Sequence, residues 1–371
     1  VRTDRSDRSR ARAGRARASR PAAAIGAGVL VLALTVGATS GCSDLRLEGA
    51  QPTTPSAGPV EQVRQRAAEQ AIALAASASG LESALRTGGG GAVGAPAADP
   101  TALATALAGA REAARTHLDD LGGVWVPFPD ASPSSAAPQS PSADEGTPAA
   151  SPSSAGDVAA FVSALGAAAE ATQADAATVT DRTLARLLAS IGLADELWAA
   201  RLATLAGLPA PAGTPPAAPT GVPAGLSPDA LAPLIASEDA LGAAWEVVAA
   251  RSADAARDHA AALATAHRDT AQAWAKAAGL AGVAGDPRRA AYQLPAVLTD
   301  PASAPEARTA VLAGLEDRLA GTWLDLVAQA EPDGRGALVS AARTAVTRAI
   351  ELSGAAIPVL PAVDPAVGSA G

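Results

Sequence analysis

A single cysteine, Cys42, stands in this chain of 371 residues. It excludes an intramolecular disulfide and any zinc cage built from several thiolates. Histidine is almost as scarce, with only His117, His259 and His267, and methionine and asparagine are absent. Aromatic residues make up 2% of the chain and Lys276 is its only lysine, so any core must be assembled from alanine and leucine, the residues that most favour helix. The glycine run Gly88–Gly91 is not followed by Lys-Ser/Thr, which excludes a phosphate-cradling loop. No Gly-x-Ser-x-Gly elbow occurs, so the sequence offers no local sign of an α/β-hydrolase nucleophile.

Positive charge is concentrated at one end. The first 41 residues hold eight arginines and two aspartates, a charge of +6, so the formal −9 of the whole chain leaves about −15 for the remainder. Such an acidic body is a poor nucleic-acid ligand, because that affinity rests on neutralising phosphates. It is also repelled by anionic lipid. The basic start is followed by an uncharged stretch, Pro21 to Gly41, most apolar at residues 29–34, and then by Thr39-Ser40-Gly41-Cys42. A basic region, a short apolar region and small residues before a break form the layout of a secretory signal. A cysteine directly after the small residues resembles the lipobox of bacterial lipoproteins. That resemblance implies cleavage before Cys42 and its lipidation, which would anchor the protein to the outer face of the cell membrane. A plain export signal and an uncleaved anchor are the alternatives. The short apolar part argues against a stable span.

After this leader (1–41), residues 42–59 are polar and read as a tether. From Val60 the apolar residues recur at three and four, the helical spacing. Helices are expected from there to Gly88, over the segment that starts near Pro100-Thr101, and over about 157–176 and 180–205. They form an N-terminal bundle (60–205) with a Ser/Pro/Ala-rich insertion at 127–156. That insertion has too little apolar surface to offset its ordering entropy and is expected to be disordered. A Pro-rich linker covers 206–225. Four further helices, about 227–250, 252–281, 304–331 and 335–354, form a C-terminal domain (226–360), followed by a tail (361–371). No segment alternates with period two. The fold class is therefore all-α, two helical bundles in tandem joined by Pro/Ala/Ser-rich linkers.

Polar residues interrupt the apolar seams of the C-terminal domain. Leu231, Leu234, Glu238, Leu241 and Trp245 share one stripe. Ala260, His267 and Trp274 share a second, and Leu312, Glu316, Leu319 and Trp323 a third. All step by three and four. Glu238, His267 and Glu316 each precede a tryptophan by seven residues. Carboxylates and histidines projecting into a bundle are how di-metal carboxylate sites are made. The quieter alternative is a buried polar network in which Glu238 or Glu316 pairs with Arg318, Arg343 or His267, since an unpaired buried carboxylate is costly. His259, beside Asp258 and off the seam, reads as solvated. His117 lies near a helix end, where an imidazole can meet the last carbonyls. Tyr292 is expected to dock the crossover before Leu294-Pro295, its hydroxyl finding a partner.

The stretches Ser237-Glu238-Asp239-Ala240-Leu241, Ala266-His267-Arg268-Asp269, Ala290-Ala291-Tyr292-Gln293-Leu294-Pro295 and Leu315-Glu316-Asp317-Arg318-Leu319 resemble the ferritin-like domain of unknown function of actinobacterial proteins, many of which carry lipoprotein leaders. The resemblance covers about 227–360 and implies a ferritin-like four-helix bundle, with no reaction attached. No Glu-x-x-His occurs, so the ligand pattern of the metal-bearing relatives of that fold is incomplete. The expectation is a lipid-anchored, extracytoplasmic protein that binds or scaffolds at the cell envelope, more a binding protein than an enzyme. Its expected partners are the membrane through Cys42 and an envelope protein or small ligand. A second copy of the chain is a further candidate, and nucleic acid is excluded. No cofactor is expected. A divergent ferritin-like metal-binding protein or oxidoreductase, with an Fe, Mn or Zn site using Glu238, His267 and Glu316, is the first alternative, and a small-molecule carrier with a ligand beside the tryptophans is the second.

Overall fold

Proline and short polar side chains set the helix starts. The computed structural model describes residues 57–87, 99–125, 157–209 and 219–362, and these contain nine α-helices and no strand. Cys42 and the leader, most of the tether, the insertion at 127–156, the middle of the second linker and most of the tail lie outside the described residues. The all-α class holds for the residues described.

In the first half the helices are α1 (Pro59–Arg86), α2 (Pro100–Asp120), α3 (Val158–Thr178) and α4 (Arg182–Leu205). Asp99, Asp157 and Asp181 cap α2, α3 and α4 with carboxylates that accept from free backbone N–H groups of the first turn, the usual service of an acidic N-cap. The second half has α5 (Pro228–Arg251), α6 (Asp254–Ala277), a single turn α7 (Ala296–Thr299), α8 (Pro305–Gln329) and α9 (Arg335–Ser353). Ser227 caps α5. The expected helix 252–281 ends earlier, at Ala277, because Gly279 takes φ 69° and the N–H of Leu280 turns back to the carbonyl of Ala275, a glycine-closed C-terminus. The turn α7 escapes any periodicity reading because four residues complete barely one repeat.

Consecutive helices pair: α1 with α2, α3 with α4, α5 with α6, α8 with α9. The pairs then pack across the halves, α4 on α8 and α3 on α9. One core cluster accordingly runs from Ala67, Ala176, Leu184 and Leu188 to Leu234, Trp245, Trp323, Leu338 and Leu360. A second is built mainly from α1–α4, centres on Leu103, Leu107, Phe161 and Leu202, and has Ile357 and Val359 from beyond α9 packed against it. All described residues belong to one compact unit, which begins at Thr54.

Two devices join the halves. Arg335, at the start of α9, is buried, and its guanidinium donates to the carbonyls of Ala176, Val179 and Ala330. One side chain thus satisfies the carbonyl ends of both α3 and α8, groups that a helix leaves unpaired. The second device is the strap 355–362 that follows α9. Its carbonyls at Val359, Pro361 and Ala362 accept from His117, Ser190 and Arg186.

Candidate functional site

The stripes that bury α5, α6 and α8 carry three polar side chains into contact. Glu238, His267 and Glu316 are all buried, as are the tryptophans that follow them, Trp245, Trp274 and Trp323. His267 Nδ1 lies 2.7 Å from Glu238 Oε2, and Nε2 lies 2.9 Å from Glu316 Oε1. An imidazole that donates from both nitrogens is an imidazolium. Burial alone would lower the pKa of His267, but the hydrogen bonds and charges of the two carboxylates outweigh it and hold the pKa above the usual value. The three residues therefore form a carboxylate–imidazolium–carboxylate chain across the bundle. Of the partners considered from sequence, Arg343 pairs instead with Glu196 on α4, at 2.9 Å, and Arg318 is exposed.

Arg348, from α9, completes the arrangement. Its Nη1 is 3.2 Å from His267 Nε2, and it forms no ion pair among the described residues. Trp274 and Trp323 meet with ring centroids 5.5 Å apart and planes tilted by 60°, within the range aromatic pairs prefer. Above them α6 and α9 face each other across a cleft of about 320 Å³. Ala337, Ala341 and Ala345 line its α9 wall, with Thr344 and Arg348 at one end. Ala273 and Thr270 line the α6 wall, and Leu319, Trp323 and Glu238 lie beneath. The cleft exists because alanines at four-residue intervals leave the α9 face too shallow to fill the gap.

The residues do not fit the metal ion that a ferritin-like bundle implies. A metal needs donors converging on one point at about 2.0–2.2 Å, whereas here the carboxylates sit on opposite edges of one imidazole. Both ring nitrogens are engaged, and Arg348 brings a cation to the same edge as Glu316. Among the described residues no group of three or more His, Cys, Asp or Glu side chains could hold a metal ion.

A second network packs against the outer side of α5. Asp239 accepts from Arg268 and from the hydroxyl of Tyr292, both at 2.6 Å. Burial and the bond to Asp239 push the Tyr292 phenol up to about 12. Arg268 can cross α5 to reach Asp239 and Glu246 because residue 242 is glycine; a Cβ there would lie 2.9 Å from the arginine side chain. This network fixes the crossover between α6 and α8 through Tyr292.

Three buried polar residues outside the site escaped the sequence reading as partners. His117 donates from Nε2 to the carbonyl of Val359 at 2.8 Å rather than to the end of its own helix. Its nearest carboxylate, Asp195, is 3.7 Å from Nδ1, and burial pushes the Asp195 carboxyl up to about 8. Burial also lowers the pKa of His117, so this imidazole is neutral. Arg335 carries no seam signal at all, since it opens a helix where a charged residue is ordinarily solvated. His259 is exposed. No described helix is long and apolar enough to cross a membrane.

Residues 230–365 match the family model DUF4439, a domain of unknown function. The matched stretch contains the whole cleft except Pro219, together with the strap. Comparison with curated proteins and with solved structures found no match.

Proposed function

We propose that the protein is a lipid-anchored binding protein of the cell envelope whose ferritin-like C-terminal bundle holds a small ligand in place of a metal. The cleft between α6 and α9 carries this reading. Its volume of about 320 Å³ lies at the small end of ligand pockets, and it combines mostly apolar walls with a few convergent polar groups, the composition such pockets have. The carboxylate–imidazolium–carboxylate chain beneath it is internally neutralised apart from one negative charge and has no free nitrogen to act as base or metal ligand. That favours binding over catalysis. The N-terminal bundle braces the site from behind through α4 and α8, Arg335 and the strap.

Native mass spectrometry of the full chain purified from membranes tests this reading. A small molecule should co-purify and be lost in Ala341→Leu, which places a larger side chain in the cleft. A ligand-free wild type under conditions that retain other non-covalent ligands would count against it. The anchoring is tested separately. Cys42→Ala should release the protein from the membrane fraction, whereas a mutant that stays membrane-bound with its leader intact would favour an uncleaved anchor.

A further inference from the structure

We propose that the cleft selects an organic anion, a small carboxylate with a compact apolar body, and that Arg348 is the residue that reads its charge. This rests on the ligand-binding reading above and names the class of ligand.

The charge inventory of the cleft carries the inference. Three ionisable side chains line it: Glu238, Asp269 and Arg348. Glu238 already faces His267 at 2.7 Å. Asp269 is exposed, so water screens it. Arg348 is half-buried and has no carboxylate partner among the described residues; its one polar contact is His267 Nε2, at 3.2 Å. With that nitrogen donating to Glu316, the contact sets guanidinium against imidazolium, two cations side by side. Every other arginine of this domain that is not exposed has an oxygen acceptor: Arg268 has Asp239 and Glu246, Arg288 has Asp286, Arg343 has Glu196, Arg308 has the carbonyls of Asp300 and Pro301, and Arg335 has three carbonyls. Arg348 is the exception, and it is the one that lines the cleft.

A guanidinium presents its N–H groups as a planar fork that matches a carboxylate with two parallel hydrogen bonds. A ligand carboxylate at the Arg348 end would supply the oxygen acceptors that its guanidinium lacks. Its body would then lie along Ala341 and Ala337 of α9, over Trp274 and Leu319, where only apolar surface is offered. A cationic ligand would meet Arg348 head on, and a neutral one would leave it unpaired.

Isothermal titration calorimetry on the purified full chain tests the assignment with carboxylates graded from acetate to benzoate and naphthoate, each beside its carboxamide and its methylammonium counterpart. The best carboxylate should bind about tenfold or more tightly than its carboxamide, and the ammonium should not bind. Arg348→Gln should abolish that preference while Arg348→Lys keeps part of it, with both variants retaining the wild-type circular dichroism and melting transition. Ala341→Leu, which leaves Arg348 in place, should weaken carboxylate binding, placing the ligand in this cleft. Equal binding of carboxylate and carboxamide, preference for the ammonium, or an unchanged preference in Arg348→Gln would overturn the anion assignment while leaving a ligand site. Failure of the whole series to bind, together with a ligand-free protein in native mass spectrometry, would remove the ligand site itself.

Discussion

Each half of the molecule buries one histidine, and the two live by opposite electrostatics. His267 stands between two carboxylates and is held charged. His117 faces a carbonyl on one side, and on the other a carboxyl that burial pushes up to about 8, and is held neutral. Both sit on alanine-rich helices and both are almost completely enclosed. The difference is whether the neighbouring acid is itself neutralised by solvent loss. The lone carboxyl beside His117 is pushed up by burial, whereas the hydrogen bonds and charges of two acids outweigh the burial of His267 and hold that imidazole charged. The cleft opens beside the charged cluster, and the strap closes over the neutral one.

The sharpest way to break this contrast is to delete each imidazole. His267→Ala leaves Glu238 and Glu316 buried without a counter-charge and should cost about 3–5 kcal/mol, the usual penalty for breaking a buried ion pair from one side. His117→Ala strands one carbonyl and opens a cavity, and should cost about 1–3 kcal/mol. Urea denaturation of both variants measures the difference. Equal losses would mean that the cluster around His267 is not ionic.

Within the first half, two glycines on neighbouring helix pairs test the packing in opposite directions. At Gly109 a Cβ would sit 2.4 Å from the Trp198 ring, so this glycine is what lets the indole lie on α2. Gly109→Ala should destabilise by about 1–3 kcal/mol through overpacking, even though alanine is the better helix former. Gly166, in α3, has open space at that position, and Gly166→Ala should stabilise by up to about 1 kcal/mol. Thermal melts of the two variants should therefore shift in opposite directions.

The measurement that reads the contrast most directly is pH. The folded pKa of His267 lies above 6.5, so its contribution is complete below that value and is lost as pH rises through the raised pKa. Burial lowers the folded pKa of His117 below 6.5, so its contribution is complete above that value and is lost as pH falls. Asp195, raised from 3.8 to about 8, behaves like His267: its contribution is present below 3.8 and drains away as pH climbs to about 8. Stability should therefore fall from mildly acidic to alkaline pH. Asp195→Asn should flatten the decline between about pH 4 and pH 8 without moving the alkaline arm due to His267. A decline of unchanged slope in that variant would show that Asp195 is ionised in the folded protein.

Much of the site was legible because helix periodicity is a local property. Glu238, His267 and Glu316 stood out as polar members of stripes stepping by three and four, and a stripe that buries its tryptophan must also bury the residue two turns before it. Which of the three would meet was not legible, nor that Arg343 would turn away to Glu196 while Arg348 turned in, because those choices depend on how α4 and α9 are rotated about their axes. His117 bonds a carbonyl 242 residues further along the chain, a distance over which sequence carries no pairing signal. Arg335 illustrates the same limit: nothing local tells a buried arginine at a helix start from a solvated one.

What the sequence determined by itself was the set of helices, their caps and the stripes they bury, since 3.6-residue periodicity and the fixed geometry of proline and aspartate at a helix start act within a few residues of each other. The tertiary structure alone decided that the halves share a core, that two histidines of similar surroundings carry different charge, and that one guanidinium is left facing a cleft. Those outcomes depend on which charged groups lose water together, and desolvation is a property of the packed assembly, not of any one helix.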